Sequence, residues 1–104
     1  MIESVRQKNE ENKVIVYSRS WCPYCEEVTK LLAELDVNFT LVELDHIVEG
    51  DDIQDALYDI TNSTTVPQVF VGGKFVGGCD DTVSLYKSGE LKSIFSGAGV
   101  ESSL

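Results

Sequence analysis

Two thiols, Cys22 and Cys25, stand three positions apart in the run Trp21-Cys22-Pro23-Tyr24-Cys25. A pair at this spacing can cycle between dithiol and disulfide, supply half of a zinc site, or form a structural cross-link. Zinc usually takes four ligands, and the only other cysteine and histidine in the chain are Cys79 and His46. The elements on either side of the pair favour redox chemistry over both alternatives.

The apolar run Val14-Ile15-Val16-Tyr17 just before the pair reads as a buried strand. After it, Val28, Leu31, Leu32 and Leu35 recur at the spacing of an amphipathic helix core stripe. The thiols therefore fall at a strand-to-helix junction, with Cys22 near the N-cap and Pro23 at the first helical position, where proline is favoured. A helix start offers unpaired N–H groups and the positive end of a dipole, and both favour a thiolate on Cys22. This placement gives the sulfurs different roles. Cys22 is expected to be exposed and nucleophilic. Cys25, one turn in, is expected to be more buried and to resolve the mixed disulfide that Cys22 forms.

With 104 residues, 42 % hydrophobic and 25 % charged, the chain is expected to form one soluble globular domain with its own core. No apolar run approaches the roughly 18–20 residues of a membrane span. The segment Met1-Ile2-Glu3-Ser4-Val5-Arg6 lacks the apolar core of a secretory signal, although a targeting segment removed before residue 1 would leave the same start. Three cysteines, an odd count, argue against a secreted disulfide framework and for a reducing intracellular compartment. The net charge of −10 disfavours nucleic acid and anionic membranes as partners.

Residues 3–12 read as a polar helix or arm whose Ile2 and Val5 reach the core, and residues 13–17 as the first strand. The thiol helix runs from about Pro23 to Leu35, with Asn38 the expected left-handed cap. Phe39–Leu44 is the second strand. Asp45–Gly50 is a loop in which His46 reads as a solvated surface residue. Asp51-Asp52 open a helix with the core stripe Ile53, Ala56, Leu57 and Ile60. Gln68–Val71 and Lys74–Val76, joined by Gly72-Gly73, give a strong hairpin signal. The next helix is expected to be capped by Asp80 or Asp81 and to turn Val83 and Tyr86 inward. Gly89 breaks it before a short last helix marked by Leu91, Ile94 and Phe95. The order α-β-α-β-α-β-β-α-α implies a four-stranded mixed sheet flanked by helices on both faces, its first two strands parallel through a right-handed crossover.

Three blocks in this order resemble the glutaredoxins of the thioredoxin-like superfamily: Trp21-Cys22-Pro23-Tyr24-Cys25, Thr65-Val66-Pro67-Gln68-Val69-Phe70 and Gly77-Gly78-Cys79-Asp80-Asp81. The resemblance covers roughly residues 12–96, and its Cys-Pro-Tyr-Cys motif is similar to the dithiol class. It implies an α/β glutaredoxin fold and a glutathione-dependent thiol–disulfide oxidoreductase. Cys22 would take up a glutathionyl group or attack a protein disulfide, and Cys25 would resolve. Glutathione would be the co-substrate, and glutathionylated or disulfide-containing proteins the partners of a monomer that needs no metal. Trp21 stands where Thr is common and resembles a plant or algal plastid subset, so the compartment expected is cytoplasm or plastid stroma.

The same resemblance assigns a glutathione site. Arg19 and Gln54 would hold the glycine carboxylate, with Arg19 favouring the Cys22 thiolate as well. Tyr24 would border the ligand. Thr65 and Val66-Pro67, similar to the family's cis-proline turn, would meet its peptide as an edge strand. Gly78 would allow close approach, while Cys79, Asp80 and Asp81 at a helix start would hold the γ-glutamyl carboxylate and ammonium. Each position also has a plainer reading as a surface, turn or capping residue, and for Cys79 a small neighbour of the ligand competes with a third redox thiol.

Two other functions compete. Some family members carry a [2Fe–2S] cluster between two chains through the first cysteine and glutathione, which would make Cys22 a cluster ligand. Pro23 counts against this, because cluster binding is associated mainly with Gly or Ser at that position. A redox adaptor dedicated to one partner protein is the third reading.

Overall fold

The computed structural model describes residues 1–104. Its helices are α1 (Ile2–Glu11), α2 (Pro23–Glu34), α3 (Gly50–Thr61), α4 (Cys79–Ser88) and α5 (Glu90–Gly97). Its strands are β1 (Val14–Ser18), β2 (Thr40–Glu43), β3 (Gln68–Val71) and β4 (Lys74–Gly77). The sheet order is β2-β1-β3-β4, with β1 and β2 parallel and the other two pairs antiparallel. The expected element order and mixed sheet are both present.

Strand β1 is buried along its whole length, and its side chains alternate between two cores. Val14 and Val16 join Val28, Leu32, Val69, Leu91 and Phe95 beneath α2, α4 and α5. Ile15 and Tyr17 join Val5, Val42, Leu44, Ala56, Leu57 and Phe70 beneath α1 and α3. Each fully buried aliphatic or aromatic side chain contributes about 1.5–3 kcal/mol. Because β1 is sandwiched between layers, the loop at its C-terminal end starts from fixed coordinates. A buried hydrogen bond, Tyr17 Oη to Asn9 Oδ1 at 2.6 Å, ties α1 to this strand.

Several local expectations are corrected. The left-handed residue after α2 is Asp36 (φ 57°), not Asn38. The Asp36 and Val37 N–H groups donate back to the Ala33 and Leu32 carbonyls, and Val37 is buried, so the turn closes two residues earlier. The segment read as a loop after β2 contains a 3-10 turn, Leu44–His46, anchored by buried Leu44. Helix α4 is capped by Gly78; Asp80 and Asp81 lie in its first turn. Thr82, fully buried, turns inward and donates its hydroxyl to the Gly78 carbonyl at 2.8 Å. Tyr86 remains 39 % exposed, although it lies on the same face of α4 as buried Cys79 and Thr82.

Candidate active site

Cys22 is the N-cap of α2, with extended backbone (φ −92°, ψ 113°) and Pro23 next in line. Its sulfur accepts the Cys25 backbone N–H at 3.2 Å. This is a helix-start donor left free by the helix itself, now directed at the atom that would carry charge as a thiolate. On its other side the Cys22 thiol lies 3.9 Å from the Val66 carbonyl oxygen. Cys25 is buried, and burial with its hydrogen bond to Cys22 pushes its thiol up to about 11. Cys25 is therefore held neutral near pH 7.

One expectation about Cys22 is corrected. The residue is only 5 % exposed rather than open to solvent. The neighbouring aromatics carry the exposure instead, with Trp21 68 % and Tyr24 62 % accessible. The N-cap position turns the short cysteine side chain inward over the helix end, while the larger flanking rings stay outside.

Tyr24, Thr65, Val66, Pro67, Gly78, Cys79, Asp80 and Asp81 line one cavity of about 420 Å³. These are eight of the ten residues assigned to the ligand from the sequence. Ser63 and Phe75 complete the lining and were not foreseen. The cavity forms where the Val66-Pro67 bond, which is cis, faces the β4–α4 junction. A Cβ at position 78 would sit 3.3 Å from the Pro67 carbonyl oxygen, so glycine lets these two segments come together. Gly77 (φ 137°) makes room for Asp81, whose Oδ2 accepts the Gly78 N–H at 3.4 Å.

Arg19 and Gln54 are not among the lining residues. Arg19 Nη2 is 3.7 Å from Asp51 Oδ1 at the start of α3. Gln54 Nε2 is buried without a hydrogen-bond partner, and Gln54 lines a separate cavity with Asp55, Tyr58, Asp59 and Thr64. Cys79 is buried and its thiol donates to Glu27 Oε2 on α2 at 3.2 Å. Burial, then the neighbouring Glu27 carboxylate, push the Cys79 thiol up to about 12, which keeps it protonated near neutral pH.

Two further residues shape the site. Gln68, fully buried at the start of β3, donates its amide to the Ser63 and Thr65 carbonyls, each at 3.1 Å, and so fixes the loop that supplies one side of the cavity. A polar residue opening an otherwise apolar strand was the sequence signal for it. Asp45, in the 3-10 turn, accepts the backbone N–H of Ser20 at 3.0 Å through Oδ1 and the Ser20 hydroxyl through Oδ2. These bonds hold its carboxyl below the usual range. Glu43, Asp45 and His46 bring their donor atoms within 4.8 Å of one another, but both Asp45 oxygens are already engaged by Ser20.

Comparison with known proteins places this geometry. The sequence profile described as Glutaredoxin matches residues 14–76, more than half of the chain. The chain belongs to the glutaredoxin family. It is 44 % identical over 88 residues to a glutaredoxin from Vernicia fordii, covering 85 % of each chain. It is 45 % identical over 97 residues to the chloroplastic monothiol glutaredoxin-S12 of Arabidopsis thaliana, covering 92 % of this chain and 54 % of that one. The chain thus spans about half the length of some curated relatives it matches. Among solved structures, the buckwheat glutaredoxin–glutathione complex superposes with a TM-score of 0.91 at 37 % identity, over 94 % of this chain and 89 % of that one. Oxidised glutaredoxin 2 from Chlamydomonas reinhardtii superposes with a TM-score of 0.88 at 40 % identity, over 99 % and 94 %. The thioredoxin-like glutaredoxin fold expected from the three motif blocks is thereby established. No helix is long and apolar enough to cross a membrane.

Proposed function

We propose that this chain is a glutathione-dependent thiol–disulfide oxidoreductase that acts on protein–glutathione mixed disulfides and protein disulfides. The supporting observation is that eight of the ten residues assigned to glutathione line one cavity, and that one of them, Val66, has its carbonyl 3.9 Å from the Cys22 sulfur. The buckwheat relative's complex with glutathione is in keeping with this ligand.

The Cys22 thiolate, favoured by the Cys25 N–H, attacks the glutathione sulfur of a glutathionylated protein. The protein thiolate leaves and is protonated from solvent, and the glutathionyl group passes to Cys22. A second glutathione, as its thiolate, attacks the glutathionyl sulfur, returning the Cys22 thiolate and releasing oxidised glutathione. With a protein disulfide, Cys22 first forms a mixed disulfide with one protein sulfur. Cys25, giving up its proton, then attacks Cys22 and frees the protein thiol, and two glutathiones reduce the resulting Cys22–Cys25 bond. The ligand's peptide lies along Thr65-Val66-Pro67, its γ-glutamyl end meets Asp80 and Asp81, and its glycine carboxylate reaches Arg19 and Gln54. The compartment is a reducing one, cytoplasm or plastid stroma, in line with relatives whose names place them in chloroplasts.

The test is turnover of a glutathionylated substrate with reduced glutathione and glutathione reductase. Wild type and Cys25→Ser are expected to be active and Cys22→Ser inert. An inert wild type would sink the reading and move the cluster-carrier function forward.

A further inference from the structure

We propose that Asp45 is a positioning residue for the reaction, clamping the loop that carries both Cys22 and Arg19 through two hydrogen bonds to Ser20; this rests on the oxidoreductase reading given above.

The loop Arg19–Cys22 leaves buried β1 and must deliver a sulfur to the α2 N-cap. At its β1 end the Ser18 hydroxyl donates to the Arg19 carbonyl at 3.3 Å, but no such bond reaches Ser20 or Trp21 from within the loop. Trp21 is largely exposed, and the internal support is one turn bond, Cys22 N–H to the Arg19 carbonyl at 3.2 Å. The Arg19–Asp51 pair, with Asp51 fully open to solvent, adds a weak tie. Asp45 reaches across from the turn after β2 and takes both polar hydrogens of Ser20, the backbone N–H on Oδ1 and the hydroxyl on Oδ2. Two bonds from one carboxylate to one residue fix orientation as well as distance, and charge makes each stronger than a neutral bond.

The clamp stands on a firm base. Leu44, next to Asp45, is 2 % exposed in the α3-side core. Gly50 packs so closely on the Leu44 carbonyl that no side chain fits between them. Asp45 is thus held by the core, and the loop by Asp45. A displacement of about 1 Å at a reacting group can lower a rate by up to about a hundredfold, so a loop free to move by a fraction of that should lose activity measurably.

The experiment uses the full chain and two independent readouts. The first is kcat and KM for a glutathionylated peptide. The second is the fluorescence anisotropy of Trp21, the only tryptophan and the neighbour of Ser20. Asp45→Ala should lower kcat/KM about tenfold, in kcat through Cys22 and in KM for glutathione through Arg19, and should lower the anisotropy. Asp45→Asn keeps the shape and one acceptor oxygen, and should recover most of both. Ser20→Ala, which keeps the backbone bond, should fall between, and it serves as the deciding variant if Asp45→Ala does not fold. Wild-type values of both readouts in Asp45→Ala would overturn the proposal. So would equal losses of activity in Asp45→Ala and Asp45→Asn with anisotropy unmoved, which would mark an effect of charge alone. If the wild type proves inert, the enzymatic reading fails, while the anisotropy series still decides whether Asp45 holds the loop.

Discussion

The Cys25 backbone N–H and the Cys22 sulfur are 3.2 Å apart, so the main chain of one thiol residue directs a donor at the sulfur of the other. The Cys25 side chain is treated in the opposite way, buried and held neutral. Both effects follow from placing the first cysteine at the N-cap and the second one turn inside.

The three thiols should therefore react in order. With Cys25 pushed up to about 11 and Cys79 to about 12, both are neutral at pH 7, and the thiolate is the reactive form. Limiting iodoacetamide at pH 7 should modify Cys22 alone, as read by peptide mass spectrometry. Modification of Cys79 ahead of Cys22 would contradict the burial argument.

Alkaline stability should depend on Cys79. Its ordinary value is near 9.0 and its folded value about 12. Below pH 9 the thiol is protonated in both states, and its contribution is fully present. As pH rises from 9 toward 12 the unfolded chain releases a proton that the folded chain keeps, so stability falls. In scanning calorimetry with reductant, Tm should drop between pH 9 and 11, and less steeply in Cys79→Ser, which does not titrate there. Equal slopes would show that Cys79 does not carry the effect.

Gly50→Ala should destabilise the fold by about 1–3 kcal/mol. A Cβ there would lie 1.8 Å from the Leu44 carbonyl oxygen, a backbone atom that cannot swing aside. Urea titration would measure the loss. An unchanged midpoint would mean that α3 can shift away from the Leu44–His46 turn at little cost.

Tyr17→Phe should cost about 1–3 kcal/mol, because it leaves the buried Asn9 amide oxygen without its 2.6 Å partner. The double variant Tyr17→Phe with Asn9→Leu should recover part of that loss. A double variant no better than the single one would place the effect in packing rather than in the hydrogen bond.

Asp51→Asn should lower KM for glutathione by up to about fivefold, since an exposed pair of this kind contributes about 0–1 kcal/mol and its loss frees Arg19 for the ligand's carboxylate. The gain should shrink as salt screens the pair in the wild type. A raised KM would mean that Asp51 orients Arg19 for the ligand rather than competing for it.

Local patterns in the sequence were enough for the element order, the mixed sheet and the placing of Cys22 at the start of α2 with Cys25 one turn inside. The continuous apolar run Val14–Tyr17, the helical stripe from Val28 to Leu35 and the Gly72-Gly73 hairpin each act over a few residues, and the physics they report is local. The ligand-binding assignment came from resemblance of motif blocks rather than from periodicity, and the cavity brings eight of those ten residues together. Contacts between distant segments were not legible. Asp45 with Ser20, Glu27 with Cys79, Gln68 with Ser63 and Thr65, and Gly50 against Leu44 all depend on how finished elements pack, and the residue type at one end does not specify its partner at the other. The same holds for the shielding of Cys22. A sequence can place a cysteine at a helix start, but only the surrounding backbone, with Val66 across the gap, decides how much of it solvent reaches.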